Sequence, residues 1–166
     1  MSVRFKPVPA PPTDRHALAG AQAALPLVPK GENDCCGRLL DRTDFLDGRD
    51  EARTWLTFLR ALGLAKRTDG RFARTDRDPE SEAVETAFRE RVFGAREVLA
   101  ALGAEPIDAD DAFEAVADAV PPWERERHNN WAATYRERAA NLLGWAAVLG
   151  FATRTDSGYR AASSRG

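Results

Sequence analysis

Two stretches of this chain carry nearly the same residues 87 positions apart. Leu62 to Phe72 reads LGLAKRTDGRF, and Leu149 to Tyr159 reads LGFATRTDSGY. A single repeat of this size indicates a duplicated domain, because solenoid arrays show shorter and more numerous periods. We therefore expect two related units in tandem, each ending in the same local structure.

The residues before the first repeat predict an amphipathic helix over 48–62. Asp47 is expected to cap it, with acids in the first turn where the helix dipole favours them, and Gly63 to end it. At 100° per residue the apolar side chains form one buried stripe. The stripe consists of Ala52, Trp55, Leu56, Leu59 and Leu62, and the opposite face holds Asp50, Arg53, Thr54 and Thr57.

The repeat itself predicts a β-hairpin over 64–75. Asp69-Gly70 between two short β-forming runs favours a type I′ turn, which needs positive φ at both turn residues. In such a hairpin Ala65, Arg67, Phe72 and Arg74 share one face. If Phe72 points inward, Lys66 and Arg71 point outward and make the tip cationic.

The second copy is predicted to have a long helix from Asn129 or Asn130 to Leu149. Its turn is interpreted as one residue longer than the first, so that Asp156-Ser157-Gly158 forms a three-residue loop with Gly158 left-handed. The expected apolar stripe is Trp131, Tyr135, Leu142, Trp145 and Leu149.

The remaining segments complete a mainly α chain with small β-hairpins. A helix from Thr13 or Asp14 to Leu25 precedes Leu27 and Val28, which could supply a short third strand, and Asn33 or Asp34 is expected to cap a helix that begins at Cys35. The predicted organisation is an extended N-terminal arm (1–12), a first unit (13–76), linking helices (77–106) and a second unit (107–166).

Two helices, a tight turn and a basic ribbon resemble the winged helix-turn-helix family. The phrase LRALGLAKRTDGRF carries most of this resemblance, which covers roughly residues 14 to 75. In that family the second helix of the motif enters the major groove and the hairpin wing touches phosphates. The resemblance implies a transcription-regulator-like protein that uses helix 48–62 and the basic wing 64–75 on duplex DNA.

Composition gives only limited support for a nucleic-acid partner. Residues 77–120 carry a net charge of −8, whereas residues 1–32, 33–76 and 121–166 carry +2, +1 and +3. No segment reaches the strongly basic balance typical of nucleic-acid-binding domains. The 21 arginines against three lysines resemble the composition of proteins from GC-rich, salt-loving archaea.

The DNA hypothesis assigns a role to each polar residue of the first copy. Arg53, Thr54 and Thr57 would face base edges, since arginine pairs with guanine and the threonine methyl meets thymine. Carboxylates at the start of the same helix oppose this, because they repel phosphate. The expected phosphate contacts are Arg49, Arg60, Lys66, Arg71 and Arg74, and Arg67 completes the expected DNA-binding set.

The alternative hypothesis is a winged-helix interaction or scaffold module that does not bind DNA. The outer face of the second long helix is small and mostly uncharged, which suits close packing against a protein partner or in a homodimer. That face consists of Ala133, Arg136, Ala140, Gly144 and Ala147.

Other function classes have little support. Serines lie only in tails, a linker and a turn, and there is no glycine-rich phosphate loop, so we expect neither an enzyme nor a cofactor. Aspartates 108, 110 and 111 are interpreted as helix-start residues rather than metal ligands. Cys35 and Cys36 are expected to be buried packing residues, with a redox-sensitive thiol as the alternative. With no long apolar run or signal peptide, the expected location is the cytoplasm, away from membranes.

Overall fold

A computed structural model describes residues 5–127 and 129–162 of the chain. The chain divides into two compact units, Met1–Phe93 and Gly94–Gly166. The first unit contains α1 (His16–Ala24), α2 (Glu32–Arg42), α3 (Arg49–Ala61), β1 (Ala65–Thr68), β2 (Arg71–Arg74) and α4 (Glu82–Arg91). The second contains α5 (Ala95–Ala101), α6 (Ala109–Ala117), α7 (Pro122–Arg127), α8 (Trp131–Val148), β3 (Ala152–Thr155) and β4 (Gly158–Ala161). This confirms the predicted class, mainly α with small β-hairpins.

The apolar stripe of α3 forms the centre of the first unit. All five stripe residues are buried, as the helical spacing predicts. The Trp55 ring also lies 4.9 Å from Phe45, and Phe58 makes an edge contact with Phe88 of α4 at 6.4 Å. The predicted cap is wrong by one residue, because Gly48 occupies the N-cap position and makes no side-chain cap hydrogen bond.

The first hairpin has the predicted turn and register. Ala65 pairs with Arg74, and Arg67 pairs with Phe72, so these four residues share a face. Asp69 and Gly70 have φ values of 52° and 76°, the positive values that a type I′ turn requires. The turn residues and the hairpin tip are exposed, whereas Phe72 is buried.

The third strand is not formed by Leu27 and Val28, which corrects the sequence prediction. Lys30 instead pairs with Phe72, and their backbones exchange two hydrogen bonds of 3.0 and 2.7 Å. Leu27 and Val28 are 72% and 67% exposed. The periodicity could not place this pairing, because a single bridge is fixed by where α1 and α2 hold the connecting loop.

The N-terminal segment packs on the first unit. The Phe5 N–H donates to the Arg91 carbonyl (2.7 Å), the Phe93 N–H donates to the Phe5 carbonyl (2.8 Å), and Val8 is buried. This parallel bridge, Phe5 to Val92, brings the first described residue beside the end of α4.

The cysteines are packing residues, and the predicted start of their helix is wrong. Helix α2 begins at Glu32 rather than at Cys35, so neither thiol occupies the helix terminus. Both side chains are buried, and Cys35 Sγ lies 3.6 Å from the Phe72 carbonyl. Burial, followed by the nearby Asp34 carboxylate, raises the pKa of Cys35 to about 11, which disfavours the reactive thiolate.

The second hairpin has a two-residue loop, which corrects the predicted three-residue loop. Thr155 pairs with Gly158, leaving only Asp156 and Ser157 in the turn, so the two copies have turns of equal length. Gly158 has a φ of 145° and belongs to β4. A Cβ on Gly158 would lie 2.2 Å from the carbonyl oxygen of Ile107, so glycine is required by a close backbone approach rather than by the turn.

Helix α6 of the second unit begins with a capping box formed by Asp108 and Asp111, in agreement with their interpretation as helix-start residues. The Asp111 N–H donates to the Asp108 carboxylate (2.9 Å), and the Asp108 N–H donates to the Asp111 carboxylate (3.0 Å). The backbone hydrogen bond from Asp111 lowers the pKa of Asp108. Asp110 forms a 3.1 Å ion pair with Arg136, so each of the three aspartates has a local structural contact.

The backbone hydrogen bonds confirm that the two units are copies of one another. In each unit the residue that follows the helix-ending glycine donates a backbone hydrogen bond to the long helix. A residue in the second strand of the hairpin exchanges two backbone hydrogen bonds with the loop before α2 or α6. The last residue of that strand donates a further bond to the same loop. The corresponding donor and acceptor pairs are Leu64–Leu59 and Phe151–Ala146, Lys30–Phe72 and Ile107–Tyr159, and Arg74–Pro26 and Ala161–Gly103. Equivalent positions in the long helix and hairpin are therefore 87 residues apart, as Phe72 and Tyr159 are. Equivalent positions around the preceding loop are 77 residues apart, as Lys30 and Ile107 are.

Candidate nucleic-acid interface

The predicted base-reading face of α3 lies beside the start of α2. Arg53 makes ion pairs with Glu32 (3.7 Å) and Asp50 (3.4 Å), and Arg49 donates to the Asn33 side chain at 3.2 Å. These contacts are exposed, and exposed ion pairs contribute little stability, so a phosphate could replace the carboxylates.

The two threonines on this face are less available than the arginines. The Thr54 hydroxyl donates to the Asp50 carbonyl at 3.0 Å, a bond within the helix, and both Thr54 and Thr57 are half-buried. The exposed polar surface of α3 therefore consists mainly of arginines and of the acids that precede them.

The hairpin tip presents three exposed cations of the predicted set. Lys66, Arg67 and Arg71 are all exposed on β1 and β2. Asp69 in the turn is the nearby carboxylate. A short ribbon that projects several cations and has a rigid turn suits contact with a phosphate backbone.

Arginines also surround two phenylalanine rings at the side of this hairpin, in a group that we call the arginine–phenylalanine cluster (Phe5, Phe72, Arg60, Arg67 and Arg91). The Arg60 guanidinium lies 5.2 Å from the Phe5 ring and 5.7 Å from the Phe72 ring. Arg91 lies 5.3 Å from Phe5, and Arg67 lies 5.9 Å from Phe72. Cation–π contacts within about 6 Å hold guanidinium groups in place without neutralising them.

The charges of this cluster repel one another. Burial, followed by the positive charges of Arg67 and Arg91, lowers the pKa of Arg60 from its ordinary value. An anion near the three guanidinium groups would relieve this repulsion. The cluster is therefore electrostatically suited to a phosphate.

Sequence reasoning missed Phe5 and Arg91. They lie at opposite ends of the first unit in sequence and meet only through the Phe5 to Val92 bridge. No local signal could have found them, because the pairing of the N-terminal segment with the end of α4 is a tertiary contact.

Arg74, by contrast, is directed away from the hairpin tip. It pairs with Ala65 at the base of the hairpin, and its Nη1 donates to the Ala23 carbonyl at the end of α1 (3.3 Å). The structure thus separates Arg74 from the tip residues with which the sequence grouped it.

The outer face of α8 occupies the same place in the second copy as the arginine-bearing face of α3 in the first. Arg49, Arg53, Thr57 and Arg60 correspond, 87 residues later, to Arg136, Ala140, Gly144 and Ala147. Two of the three arginines are therefore absent from this face of α8. Of the predicted protein interface, Ala133, Arg136 and Ala140 are exposed, Ala147 is half-buried and Gly144 is buried.

Arg136, the one cation retained on this face, is held by its own unit. It makes the ion pair with Asp110 and lies 4.8 Å from the Phe113 ring. The ring centroids of Phe113 and Trp131 lie 5.8 Å apart, and the Arg125 guanidinium lies 4.6 Å from the Trp131 ring. This face is a packed aromatic and arginine surface rather than a set of available cations.

The described helices give no sign of a membrane span: none within residues 5–127 and 129–162 combines the necessary length with the necessary apolar character. A search of the curated proteins and a search of the solved structures found no match to this chain. A family model described as the halobacterial double winged helix domain matches residues 3–166. The duplicated helix and hairpin units, together with a match over nearly the whole sequence, show that the chain belongs to the halobacterial double winged helix domain family.

Proposed function

We propose that this protein binds duplex DNA through its first unit, in the manner of a transcription regulator. The observation that carries the proposal is the concentration of cations on the first hairpin and beside it. Lys66, Arg67 and Arg71 are exposed at the tip, and Arg60 and Arg91 lie next to Arg67 around two phenylalanine rings. Phosphate contacts of this kind fix a protein on the duplex.

The face of α3 completes the proposed interface. Arg49 and Arg53 are exposed and would exchange their present partners, Asn33 and the carboxylates of Glu32 and Asp50, for DNA. Because Asp47, Asp50 and Glu51 precede or begin this helix, binding is expected to depend on phosphate contacts more than on base contacts.

The test is a titration of random-sequence duplex DNA over a range of salt concentrations. The logarithm of the affinity should fall linearly with the logarithm of salt, with a slope of about −0.9 for each phosphate contact. Arg71→Ala should reduce this slope by about one contact. The matched control is Arg154→Ala in the second hairpin, which should leave the slope unchanged.

Absence of DNA binding at low salt would remove the proposal. An equal effect of Arg71→Ala and Arg154→Ala would remove the assignment to the first unit. Both variants change exposed hairpin residues, so a urea unfolding curve that matches the parent protein should accompany each measurement.

The second candidate function is a protein-interaction or scaffold role for α8. It is supported by Ala133 and Ala140, which are small and exposed on the helix that corresponds to α3. Such a face favours close approach of another helix, from a protein partner or a second copy of the chain. Sedimentation at increasing concentration tests the homodimer, and Ala140→Glu should abolish any self-association that this face provides.

A further inference from the structure

A groove on the first unit combines four cations with two exposed aliphatic side chains. It has a volume of about 380 Å³ and lies against the end of α1, the loop before α2, α2 itself and the end of β2. The residues that give the groove its character are Leu27, Val28, Lys30, Arg38, Arg42 and Arg74. The described residues that line it include no aspartate or glutamate.

Among the residues that the structure describes, three of the four cations in the groove make no ion pair. Arg38 makes one long ion pair with Asp34, 3.9 Å away and one helical turn earlier. Arg74 donates to a neutral backbone carbonyl, that of Ala23. Within the described part of the chain, neither Lys30 nor Arg42 makes an ion pair. The groove therefore favours a ligand with several negative charges.

The aliphatic residues narrow the class of ligand. Leu27 and Val28 are adjacent, and they are the most exposed large aliphatic side chains of the described residues. They take no part in the strand pairing, which Lys30 provides. Contact with a phosphate backbone would remove little apolar surface of Leu27 and Val28 from water, whereas contact with the aliphatic side chains of a peptide would bury that surface.

The second copy shows that the fold does not need these residues. At the corresponding positions Lys30, Arg38 and Arg74 are replaced by Ile107, Ala115 and Ala161. Arg42 is the last residue of α2, and α6 ends at Ala117 before it reaches an equivalent position. Leu27 and Val28 are replaced by Ala104 and Glu105. The same backbone hydrogen bonds form in both copies, so the cations and aliphatic groups of the first groove are not required for folding.

We propose that this groove binds an acidic peptide segment of a partner protein, one that carries aliphatic residues between its carboxylates. The cations would pair with the carboxylates, and Leu27 and Val28 would contact the aliphatic side chains. The proposal is independent of DNA binding, because its defining residues are Leu27, Val28 and Arg42 rather than the hairpin tip.

The experiment uses the full chain and three fluorescein-labelled peptides of equal length. The first alternates glutamate and leucine, the second alternates glutamate and serine, and the third alternates lysine and leucine. Fluorescence anisotropy at low ionic strength should show binding in the order glutamate–leucine, then glutamate–serine, with no binding of the lysine peptide.

Variants locate the site. Arg42→Glu should weaken the glutamate–leucine peptide at least about tenfold, since charge reversal adds repulsion to the lost attraction. Leu27→Ser combined with Val28→Ser should weaken the glutamate–leucine peptide to the level of the glutamate–serine peptide, and should leave the latter unchanged. Arg71→Glu, at the hairpin tip, is the matched charge-reversal control and should leave peptide binding unaltered.

The proposal is overturned if the glutamate–leucine peptide does not bind, or if it binds equally well to the parent protein and to Arg42→Glu. It is also overturned if serine and leucine peptides bind with equal affinity. Loss of random duplex DNA binding in Arg42→Glu, with peptide binding intact, would assign the groove to phosphates instead. All substituted side chains lie at the surface, and an unchanged urea midpoint verifies that each variant is folded.

Discussion

The hydroxyl of Tyr135 donates a hydrogen bond to the carboxylate of Glu124, and both side chains are buried where α7 meets α8. Helix α7 has no counterpart in the first unit, where α2 is followed directly by α3. A buried charged acceptor that loses its donor retains the cost of its desolvation. This pair therefore fixes the additional helix of the second copy.

Removal of the Tyr135 hydroxyl should destabilise the protein. We expect Tyr135→Phe to lower the free energy of unfolding by about 1–3 kcal/mol, measured by urea denaturation. The control is Tyr159→Phe, which changes the other tyrosine of the chain. Because Tyr159 is half-exposed, this substitution should change the free energy of unfolding by less than about 0.5 kcal/mol. A double-mutant cycle with Glu124→Gln should give a non-zero coupling energy, and strict additivity would argue against the interaction.

The same pair predicts how stability changes at high pH. Burial, followed by the hydrogen bond to Glu124, raises the pKa of Tyr135 from 10.0 to about 12. A tyrosine whose pKa is raised by folding contributes stability that is fully present below pH 10 and is lost as the pH rises to 12. The free energy of unfolding should fall more steeply in this range for the parent protein than for Tyr135→Phe. Equal slopes would contradict the prediction.

Gly158 should tolerate no side chain. Gly158→Ala would bring a Cβ to 2.2 Å from the Ile107 carbonyl oxygen, at a φ of 145° that L residues rarely adopt. We expect a loss of about 2 kcal/mol or more in the free energy of unfolding. The control is Gly103→Ala in the same unit, where the added Cβ meets no atom within 4 Å and the expected change is within about 0.5 kcal/mol.

Removal of an acid at the start of α3 should strengthen DNA binding, if the proposed function holds. Asp50→Asn releases one of the two ion-pair partners of Arg53 and reduces repulsion of phosphate. An affinity increase of about two- to tenfold at low salt is expected, diminishing as salt is added. Glu114→Gln, an exposed acid on α6, should have no effect, and an equal gain would indicate that only net charge matters.

The two thiols should be inert in the folded protein. Cys35 and Cys36 are buried, and burial is the main cause that raises the pKa of each. Labelling with iodoacetamide should proceed only as fast as the chain unfolds, and should become rapid in urea. Rapid stoichiometric labelling under native conditions would restore the redox-sensor alternative.

The sequence was sufficient to predict those elements that depend on interactions between residues close together in the chain. The buried stripe of α3 follows from its spacing, and the turn at Asp69-Gly70 follows from the φ values that these residues accept. The predicted three-residue loop was wrong because Gly158 was assigned to the turn. A glycine is needed there because the Ile107 carbonyl, which is distant in sequence, leaves no room for a Cβ.

The candidate site also contains features that the local sequence predicts and contacts that only tertiary packing produces. The exposure of Lys66, Arg67 and Arg71 follows from the hairpin pattern. The ion pair of Arg53 with Glu32, the position of Arg74 against Ala23 and the meeting of Phe5 with Arg91 depend on tertiary packing. Sequence periodicity contains no information about these contacts.

The bonds that anchor Phe72 to Lys30, and Tyr159 to Ile107, join main-chain atoms only. Substitutions at the surface of one copy therefore need no compensation in its scaffold, and after duplication either copy was at liberty to gain or shed charge. An engineer could exploit this freedom by introducing arginines at Ala115 and Ala161, which would add positive charge to the second copy at the positions equivalent to Arg38 and Arg74.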